Sequence, residues 1–400
     1  MLRRLTDYRE IVGDDKIAEI FRKSRGLYKK TMLNISSTPY GGGVAEILRN
    51  IVPIMNSMGL YVGWRTLIGT PDFFHVTKKF HNSLQSDAIA LTQKKINLYE
   101  ETNEIFSKFT YINHDLVVVH DPQPLPMIKF YRKRQPWVWR CHIDLSSPNR
   151  KLWNYLKGFT LQYDLVVYQM KEFAAKGVPN EHRIIKPAID PLSMKNMSLK
   201  NSAVKKYMKK IGVDTKKPII SQISRFDKWK DQPGVLKVFD KIRDEMDCQL
   251  LLVGNIALDD PECQMIYDQI QGKVKGRKDI RIIMGAHDIM INAIQRASDV
   301  VLQKSIKEGF GLTVSEALWK QTPVVASNVG GIKEQVIDGA NGYIVKPHDY
   351  NGAAKKVLDI LCDKNMKERM GVRGKQQVRD NFLITRQIEN WVDLWSEMIH

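Results

Sequence analysis

The stretch DVVLQKSIKEGFGLTVSEALW, residues 299–319, passes from a strand pattern to a helix pattern across a short polar loop. Its first five residues form a short apolar run, which is typical of a parallel strand that is buried on both faces. A helix begins near Gly311 and ends near Trp319. A strand that is followed directly by a helix is the repeating unit of an α/β protein with a parallel sheet.

The same strand-to-helix alternation occurs on both sides of a lysine-rich stretch at residues 195–217. The apolar runs are residues 31–37, 60–67, 115–120, 137–142, 164–168, 218–223, 249–253, 280–284, 299–302 and 323–326. We therefore predict two domains, at residues 1–200 and 201–382, each with its own parallel sheet. Ligands of such sheets bind at the carboxyl ends of the strands.

The composition is that of a globular protein with a strong positive charge. Of 400 residues, 43% are hydrophobic, and 62 Lys and Arg against 44 Asp and Glu give a net charge of +18. This balance favours anionic partners such as phosphorylated small molecules. No nucleic-acid recognition motif accompanies the charge, so nucleic acid is not predicted as a partner.

Targeting and metal signals point to a simple setting. No apolar run approaches the ~18 residues of a membrane span, and no secretory signal is visible, so we predict a cytoplasmic protein without a membrane partner. The four cysteines form no Cys-x-x-Cys pair, and therefore neither a metal site nor a disulfide framework is predicted.

The loop and helix start within residues 299–319 have the features of a diphosphate site. The first amides of a helix lack intrahelical acceptors, and the positive end of its dipole favours an anion. Glu308 in the loop could accept hydrogen bonds from hydroxyl groups attached to that diphosphate. Glu316 could reach a ribose, or it could simply stabilise the first turns of the helix.

Two cations follow the first strand of the second domain, in the segment SRFDKWKDQ. Arg225 can hold phosphate oxygens through two parallel hydrogen bonds, whereas Lys230 acts as a point charge. A solvated basic loop without a ligand is the alternative interpretation.

The segment Tyr40-Gly41-Gly42-Gly43 lies between the first predicted strand and the first helix. Glycines allow a ligand to approach the backbone closely, although a tight turn explains them as well. The segment is neither a P-loop nor a dinucleotide fingerprint, because no Gly-Lys-Ser/Thr follows and position 46 is Glu46. A nicotinamide-dependent dehydrogenase is therefore not favoured.

Polar side chains also follow two strands of the first domain. His120 and Asp121 end one run, in VVVHDPQP, and His142 and Asp144 follow the run WVWR. Groups at strand ends are candidates for binding a polyol, and a structural role for each histidine is the alternative.

Together these segments resemble the retaining GT-B glycosyltransferases, in the family that includes sucrose and sucrose-phosphate synthases. The resemblance rests on Gly42-Gly43, Arg225 and Lys230 in SRFDKWK, Glu308 with Glu316, PVVASNVGGIKE at 323–334, and Asn341-Gly342. Asp231 departs from the pattern, because many relatives have glycine after the lysine.

Within that family the chain is most similar to the glycosyltransferring trehalose synthases. The segments HDPQPLP at 120–126 and WRCHIDLSSPN at 139–149, with the chain length, carry this narrower resemblance. It implies an α/β GT-B architecture of two Rossmann-like domains whose parallel sheets face a deep inter-domain cleft. The first domain would bind the acceptor and the second the nucleotide sugar, and a C-terminal helix at about 383–400 would pack back on the first.

The resemblance also implies the roles of the donor-side residues. Arg225 and Lys230 would neutralise the departing diphosphate, Glu308 would hold glucose hydroxyls, and Glu316 would hold the ribose. The segment GAHDIM at 285–290 would line the base pocket. The remaining implied donor contacts are Gly42, Gly43, Gly254, His287, Gly309, Phe310, Gly311, Leu312 and Thr313.

On the other side of the reaction, His142 would bind the donor sugar, at its 6-hydroxyl, and stabilise charge in the transition state. The implied acceptor contacts are Tyr40, His120 and Asp144. The reaction would join glucose from ADP- or UDP-glucose to free glucose, reversibly and with retention, to give trehalose. The fold requires no cofactor, Mg²⁺ could accompany the diphosphate, and a homodimer is expected.

Three alternatives stay open at this point. Another member of the same family would use a sucrose-phosphate-type or glycogen-type acceptor. A sugar-nucleotide epimerase shares the GT-B shape, although the two cations and two glutamates fit transfer better. A basic nucleic-acid-binding protein would account for the charge, and its binding would weaken steeply with salt.

Overall fold

A computed structural model describes residues 3–40, 43–254 and 261–399, with backbone only at 261–262. The chain divides into two compact units, Met1–Pro187 with Ile384–His400, and Ala188–Leu383. Each unit is built on a six-stranded sheet whose described strand pairs are all parallel. These features and the helices on the sheets make the chain an α/β protein with two Rossmann-like units, as predicted.

The first unit has the strand order β2-β1-β3-β4-β5-β6. Its strands are β1 Thr31–Ser36, β2 Tyr61–Thr66, β3 Leu116–His120, β4 Trp137–Arg140, β5 Leu165–Tyr168 and β6 Glu181–Ile184. Its helices are α1 Arg9–Val12, α2 Asp14–Ser24, α3 Gly43–Ser57, α4 Pro71–Leu84, α5 Gln93–Phe109 and α6 Arg150–Thr160. Short 3₁₀ helices lie at Leu5–Tyr8, Arg25–Leu27, Leu125–Phe130 and Lys171–Phe173.

The second unit has the strand order β12-β11-β10-β7-β8-β9. Its strands are β7 Ile219–Ile223, β8 Gln249–Gly254, β9 Ile280–Met284, β10 Val300–Gln303, β11 Val324–Ser327 and β12 Gly342–Val345. Its helices are α7 Asn201–Lys210, α8 Gln232–Arg243, α9 Pro261–Val274, α10 Asp288–Ala297, α11 Leu312–Trp319, α12 Ile332–Gln335, α13 Tyr350–Cys362 and α14 Lys364–Asn381. A 3₁₀ helix lies at Lys228–Lys230.

Hydrophobic cores cover the sheets because their central strands are apolar on both faces. All five residues of β3 are buried, and in the same core Trp137 of β4 packs against Tyr131 and Tyr163, while Trp139 packs against Trp153 of α6. Side-chain caps satisfy backbone amides where helices begin. At the start of α4, for example, the Thr70 hydroxyl oxygen accepts from Phe73 N at 3.3 Å. Among the described residues, no helix is long and apolar enough to cross a membrane.

The last helix, α15 Ile384–Met398, belongs to the first unit and packs against α2. Its buried Glu389 forms ion pairs with Lys16 at 2.6 Å and Lys23 at 2.8 Å, both on α2. Trp391 and Trp395 are buried on the same helix. The C-terminal residues therefore complete the fold of the first unit.

Residues 188–200 group with the second unit, whereas the sequence analysis placed the boundary after residue 200. Ile189 forms a bridge with Leu383, and Asn292 of α10 donates to the carbonyls of Met194 at 2.9 Å and Met197 at 2.8 Å. These contacts hold the segment on the second unit, because its carbonyl groups supply the acceptors that the buried Asn292 amide needs.

The two strand orders define where each sheet binds a ligand. Consecutive strands run outward from the middle of a sheet, and the chain then returns to place the next strand on the other side. This reversal lies between β1 and β3 in the first unit and between β7 and β10 in the second. Counted from β9, the second sheet has the 3-2-1-4-5-6 order of a Rossmann fold, in which ligands bind beyond the carboxyl ends at the reversal.

Candidate active site

In the second unit, the loops that leave β7 and β10 carry the predicted diphosphate residues. The two strands are direct neighbours, with Ile220 opposite Val300. Their loops are also joined, because Ile306 N donates to Trp229 O at 2.7 Å. The strand reversal therefore brings together side chains that are far apart in the sequence.

Lys230 and Glu308 form an ion pair at this point. Lys230 Nζ lies 2.6 Å from Glu308 Oε2, and the two side chains are only 15% and 11% exposed. The same carboxylate oxygen accepts from Ser305 Oγ at 3.2 Å and Gln303 Nε2 at 3.3 Å. Gly309 N donates to the other oxygen at 3.2 Å. Glu308 is thus held rigidly, and its Oε1 retains capacity to accept a further hydrogen bond.

Arg225 is placed differently from Lys230. Its side chain is 51% exposed, and its guanidinium lies 3.8 Å from Asp227 Oδ2. An ion pair of this length at the surface contributes little to stability. The guanidinium can therefore turn to an anionic ligand at small cost.

A glycine-rich turn shapes the backbone around Glu308. Gly311 has a φ of +80° and precedes α11 as its N-cap. Gly330 has a φ of +50°, and a Cβ there would lie 1.8 Å from the Glu308 carbonyl oxygen. Gly331 N donates to Gly309 O at 2.8 Å. This close backbone contact supports the loop. Leu312 and Thr313 are the first residues of α11, where backbone amides have no intrahelical acceptor.

Glu316 lies one turn into α11 with an incompletely satisfied carboxylate. The residue is 2% exposed. Its Oε1 lies 3.6 Å from Lys195 Nζ, and its Oε2 has no hydrogen-bond partner among the residues that the structure describes. Lys320 donates to the Glu316 carbonyl at 3.0 Å, and burial lowers the pKa of Lys320 to about 7. A buried carboxylate oxygen that lacks a donor is suited to receive a hydroxyl group.

The predicted base-pocket residues also lie at strand ends of the second unit. Gly254 ends β8, and a Cβ there would lie 2.4 Å from Ser224 O, so only glycine fits. His287 caps α10 by accepting from Met290 N at 3.3 Å. Its ring packs edge-on against Tyr207, with centroids 5.7 Å apart.

In the first unit, the loop after β1 carries the predicted glycine turn. Tyr40 is 74% exposed, and Arg49 lies 5.9 Å from the centre of its ring. Gly43 begins α3, and a Cβ on it would have no heavy atom within 4 Å. Packing therefore does not require glycine at this position. The predicted donor contact Gly42 lies outside the described residues.

The rings of His120 and His142 lie edge to edge and nearly parallel at the carboxyl ends of β3 and β4. Their ring centroids are 5.4 Å apart, and His120 Nδ1 lies 3.1 Å from His142 Nε2. His120 Nε2 lies 3.0 Å from Asn34 Oδ1 on β1. Both nitrogens of the buried His120 are thus engaged, so the predicted acceptor contact of His120 needs one of these bonds to break.

Burial keeps this pair of imidazoles neutral. Desolvation, with a smaller contribution from the Arg140 guanidinium, lowers the pKa of His120 to about 3. The same causes hold the pKa of His142 well below its usual value. Arg140 is itself buried and donates to Tyr168 O at 2.7 Å and Ile185 O at 2.5 Å.

A left-handed residue after β3 sets the position of His142. Asp121 has a φ of +63°, and its Oδ1 accepts from His142 N at 2.7 Å. Burial raises the pKa of Asp121 to about 7. Further along, Asp144 is partly exposed and accepts from Ser146 N at 2.9 Å in a tight turn. One oxygen of Asp144 is therefore committed to the backbone.

Two supporting residues were not singled out from the sequence. Asn34 is a polar residue within the apolar strand TMLNIS, and this interruption was its signal. Lys304 is fully buried after β10 and donates to Lys346 O at 3.0 Å, and burial lowers its pKa to about 8.

Asp231, the departure from the family pattern, occupies a left-handed position. Its φ is +49°, a conformation that glycine adopts without strain. Its carboxylate caps α8 by accepting from Gly234 N at 3.0 Å, and it also accepts from the Tyr350 hydroxyl at 3.1 Å. An aspartate is one of the few other residues that such a position tolerates, and the cap offsets the strain.

Comparisons with known sequences show the family of this chain. Residues 34–175 match the family model described as "Trehalose synthase, N-terminal domain", and residues 203–377 match "Glycosyl transferases group 1". The trehalose synthase of Thermococcus litoralis is 45% identical over 98% of this chain and 96% of that protein.

Solved structures agree with the fold. The sucrose-phosphate synthase from Thermosynechococcus elongatus superposes with a TM-score of 0.73 at 16% identity, over 92% of this chain and 99% of that one. An α,α-trehalose-phosphate synthase (UDP-forming) from Burkholderia xenovorans, in complex with glucose-6-phosphate, also gives a TM-score of 0.73 at 16% identity, over 90% and 98%. At this identity the likeness establishes the GT-B fold alone.

Proposed function

This chain belongs to the trehalose synthase family of glycosyltransferases, and we propose that it transfers glucose from ADP- or UDP-glucose to free glucose. The observation that carries the proposal is the Lys230–Glu308 pair at the strand reversal of a Rossmann-type sheet. It lies beside Gly311 at the start of α11, and Arg225 is on the same loop after β7 as Lys230. Cations, helix amides and a fixed carboxylate are what a sugar attached to a diphosphate requires.

The second unit is suited to stabilise the leaving group. When the bond between glucose and the diphosphate breaks, the diphosphate gains negative charge. Lys230, Arg225 and the first amides of α11 are positive groups that would oppose this charge. Such preorganised donors accelerate a reaction because they need no rearrangement as the charge develops.

Two carboxylates of the same unit would bind the neutral parts of the donor. Glu308 Oε1 would accept from glucose hydroxyls, since its Oε2 is already held by Lys230 and its neighbours. Glu316 Oε2 would accept from the ribose, because it is buried and has no partner among the described residues. The backbone around Gly285 and His287 would line the base, which admits more than one nucleotide.

The first unit would bind the reacting glucose and the acceptor. Glycosyl transfer passes through an oxocarbenium-like state, in which positive charge forms near the anomeric carbon. His142, kept neutral by burial, would hydrogen-bond the donor sugar at its 6-hydroxyl. Tyr40, His120 and Asp144 would contact the acceptor, and the backbone at Gly43 would contact the donor phosphates. We further propose retention, with front-face attack and transfer of the acceptor proton to the leaving phosphate.

No resident cofactor is needed for this chemistry. Mg²⁺ would accompany the diphosphate rather than occupy a site of its own, and among the described residues no group of three or more His, Cys, Asp or Glu is placed to hold a metal ion. We also propose that the enzyme acts in the cytoplasm as a homodimer, which is the commonest oligomer of soluble proteins. Sedimentation of the purified chain tests the dimer.

A product assay tests the proposal. The enzyme is incubated with ADP-glucose or UDP-glucose and free glucose, and the sugars are separated before and after digestion by trehalase. A new disaccharide that trehalase destroys is the expected result. Nucleoside diphosphate that appears only with another acceptor would disprove the acceptor. A disaccharide that trehalase leaves intact would disprove the linkage.

A further inference from the structure

A hydrogen-bonded row of three side chains, Asn34, His120 and His142, lies at the carboxyl ends of β1, β3 and β4. We propose that Asn34 and His120 are positioning residues that fix the proton of His142 on Nε2, so that its Nδ1 serves as a hydrogen-bond acceptor for a hydroxyl of the bound sugar. The identity of that sugar rests on the proposed function. The direction in which hydrogen bonds are donated along the row, here called the proton row, does not.

The row begins with an amide whose orientation is set by the sheet. Asn34 lies on β1, next to Gly63 of β2, and is 3% exposed. Its Nδ2 donates to Gly63 O at 3.4 Å, which places Oδ1 toward His120. The opposite orientation would set Asn34 Oδ1 against the Gly63 carbonyl oxygen, two acceptors with no proton between them. The sheet therefore determines which atom of Asn34 faces the imidazole.

The proton positions follow from the chemistry of each group. An amide oxygen can only accept, so His120 Nε2 must carry a proton. In a neutral imidazole the other nitrogen is then an acceptor, so His120 Nδ1 accepts a hydrogen bond from the Nε2–H of His142. The same rule leaves His142 Nδ1 with a free lone pair. Burial and the nearby Arg140 charge keep both rings neutral.

His142 is the member of the row that a ligand can reach. His120 is 3% exposed, whereas His142 is partly exposed. His142 Nδ1 makes no hydrogen bond to any residue that the structure describes, and Asp121 holds the backbone of His142 in place. An acceptor nitrogen presents the negative end of the ring dipole, which suits a site where positive charge develops. An N–H in the same place would oppose that charge.

The tautomers can be read directly in the full chain without substrate. Long-range ¹H–¹⁵N correlation of the protein labelled at histidine reports which nitrogen of each ring carries the proton. Single substitutions of His120 and His142 assign the signals. We expect the Nε2–H form for both rings at neutral pH. A proton on Nδ1 of His142, or a charged His142, would overturn the proposal.

Two variants of Asn34 separate positioning from mere packing. Asn34→Leu keeps the volume but removes the acceptor, so the row can reverse and His142 should show a mixture of tautomers. Asn34→Asp keeps an acceptor toward His120 Nε2, but its charge favours a protonated His120, which donates from both nitrogens and should turn His142 to the Nδ1–H form. Partners that orient a metal-bound imidazole are worth about 10–100-fold. We expect a loss of that order in kcat for Asn34→Leu, with KM for the nucleotide sugar changed by no more than about 2-fold, and no rescue in Asn34→Asp.

A second buried amide in the same unit provides the control. Asn103 of α5 is fully buried and donates to Tyr99 O at 2.9 Å, with no contact to either histidine. Asn103→Leu should lower the unfolding midpoint without changing the tautomer of His142. If Asn34→Leu keeps both the wild-type kcat and the wild-type tautomer, Asn34 is a structural residue only.

The tautomer measurement also distinguishes this proposal from the proposed function. If the Nε2–H form is found but no disaccharide is made, the proposed reaction is wrong and the proton row stands. If trehalose is made by an enzyme whose His142 carries the proton on Nδ1, the reaction stands and the row is wrong.

Discussion

The two units place different kinds of side chain at the same topological position, uncharged groups in the first and an ion pair in the second. At the strand reversal of the first unit, neutral imidazoles and an amide are connected by hydrogen bonds, and burial disfavours their protonation. At the reversal of the second unit, Lys230 and Glu308 are both charged groups that offset each other at 2.6 Å. One backbone architecture therefore supports either kind of site, and the side chains at the strand ends decide which.

This contrast matches what each half of the reaction needs. A departing diphosphate gains negative charge and requires fixed cations, whereas the glucosyl group gains positive charge and is better met by neutral acceptors. The first unit avoids a cation at His142 by burial, and the second unit keeps its cation by pairing it. Variants that change charge in one unit should consequently have effects unlike those in the other.

The largest effect is expected from Glu308→Gln in the second unit. This change removes the partner of Lys230 and the acceptor proposed for the glucose hydroxyls, while it keeps the volume. We expect kcat to fall about 10²–10³-fold, the usual loss when one charge-stabilising group is removed. Initial rates of nucleoside diphosphate release measure it. Glu368→Gln, at a 62% exposed position on α14, is the control, and an equal loss in that variant would contradict the assignment.

A smaller loss is expected when the cations of the second unit are removed singly. Hydrogen bonds to charged groups contribute about 1.5–3 kcal/mol, which is on the order of 10–100-fold in rate. Lys230→Met should lie at the upper end because Lys230 is rigidly held, and Arg225→Met at the lower end because Arg225 is half exposed. Lys364→Met, at an 83% exposed position, serves as the control. The reverse ranking of the two cations would contradict the geometry.

Gly330→Ala tests the backbone contact that supports Glu308. A Cβ at Gly330 would lie 1.8 Å from the Glu308 carbonyl oxygen, and the φ of +50° is strained for alanine. We expect a loss of about 1–3 kcal/mol in unfolding free energy, as for a strained backbone position. Urea unfolding measures it. Gly272→Ala within α9, where a Cβ meets nothing within 4 Å, should leave stability equal or slightly higher.

The smallest expected effect, counted per pH unit, is on the unfolding free energy of the first unit in acid. The pKa of His120 is about 3 in the folded state against an ordinary 6.5, so only the unfolded chain binds this proton between those values. The contribution of His120 to stability should therefore fall as pH falls below 6.5, with a ceiling of about 1.4 kcal/mol per pH unit. Asp121, whose pKa burial raises to about 7, contributes in the opposite direction, so the effect of His120 is the difference between the unchanged protein and His120→Gln. His120→Gln should reduce this slope in urea unfolding between pH 7 and pH 4.5. The exposed His348→Gln should not, and an unchanged slope in His120→Gln would contradict the neutral row.

The sequence predicted those features of the structure that depend only on neighbouring residues. The apolar run before Glu308 and the glycines after it predict a strand, a loop and a helix start, since each depends only on neighbouring residues. The apolar run LVVVH in the same way predicts β3 with His120 at its end. These local signals were sufficient for two parallel sheets.

What could not be predicted depends on contacts between distant residues. Lys230 and Glu308 are separated by 78 positions and meet only because β10 lies beside β7. Asn34 and His120, 86 positions apart, meet because β1 lies beside β3. The strand order, which no single segment encodes, decides both pairs. The left-handed conformation of Asp231 could not be predicted either, because aspartate indicates such a conformation much less strongly than glycine does.

The most direct test of the division between the units is calorimetric titration of the full chain with ADP and with UDP. We predict that Lys230→Met weakens nucleoside diphosphate binding on the order of 10-fold or more, because it removes one of the cations proposed to hold the diphosphate. His142→Asn should bind it as tightly as the unchanged protein, although its transfer rate falls. Equal weakening in both variants, or weakening in His142→Asn alone, would contradict this division between the units.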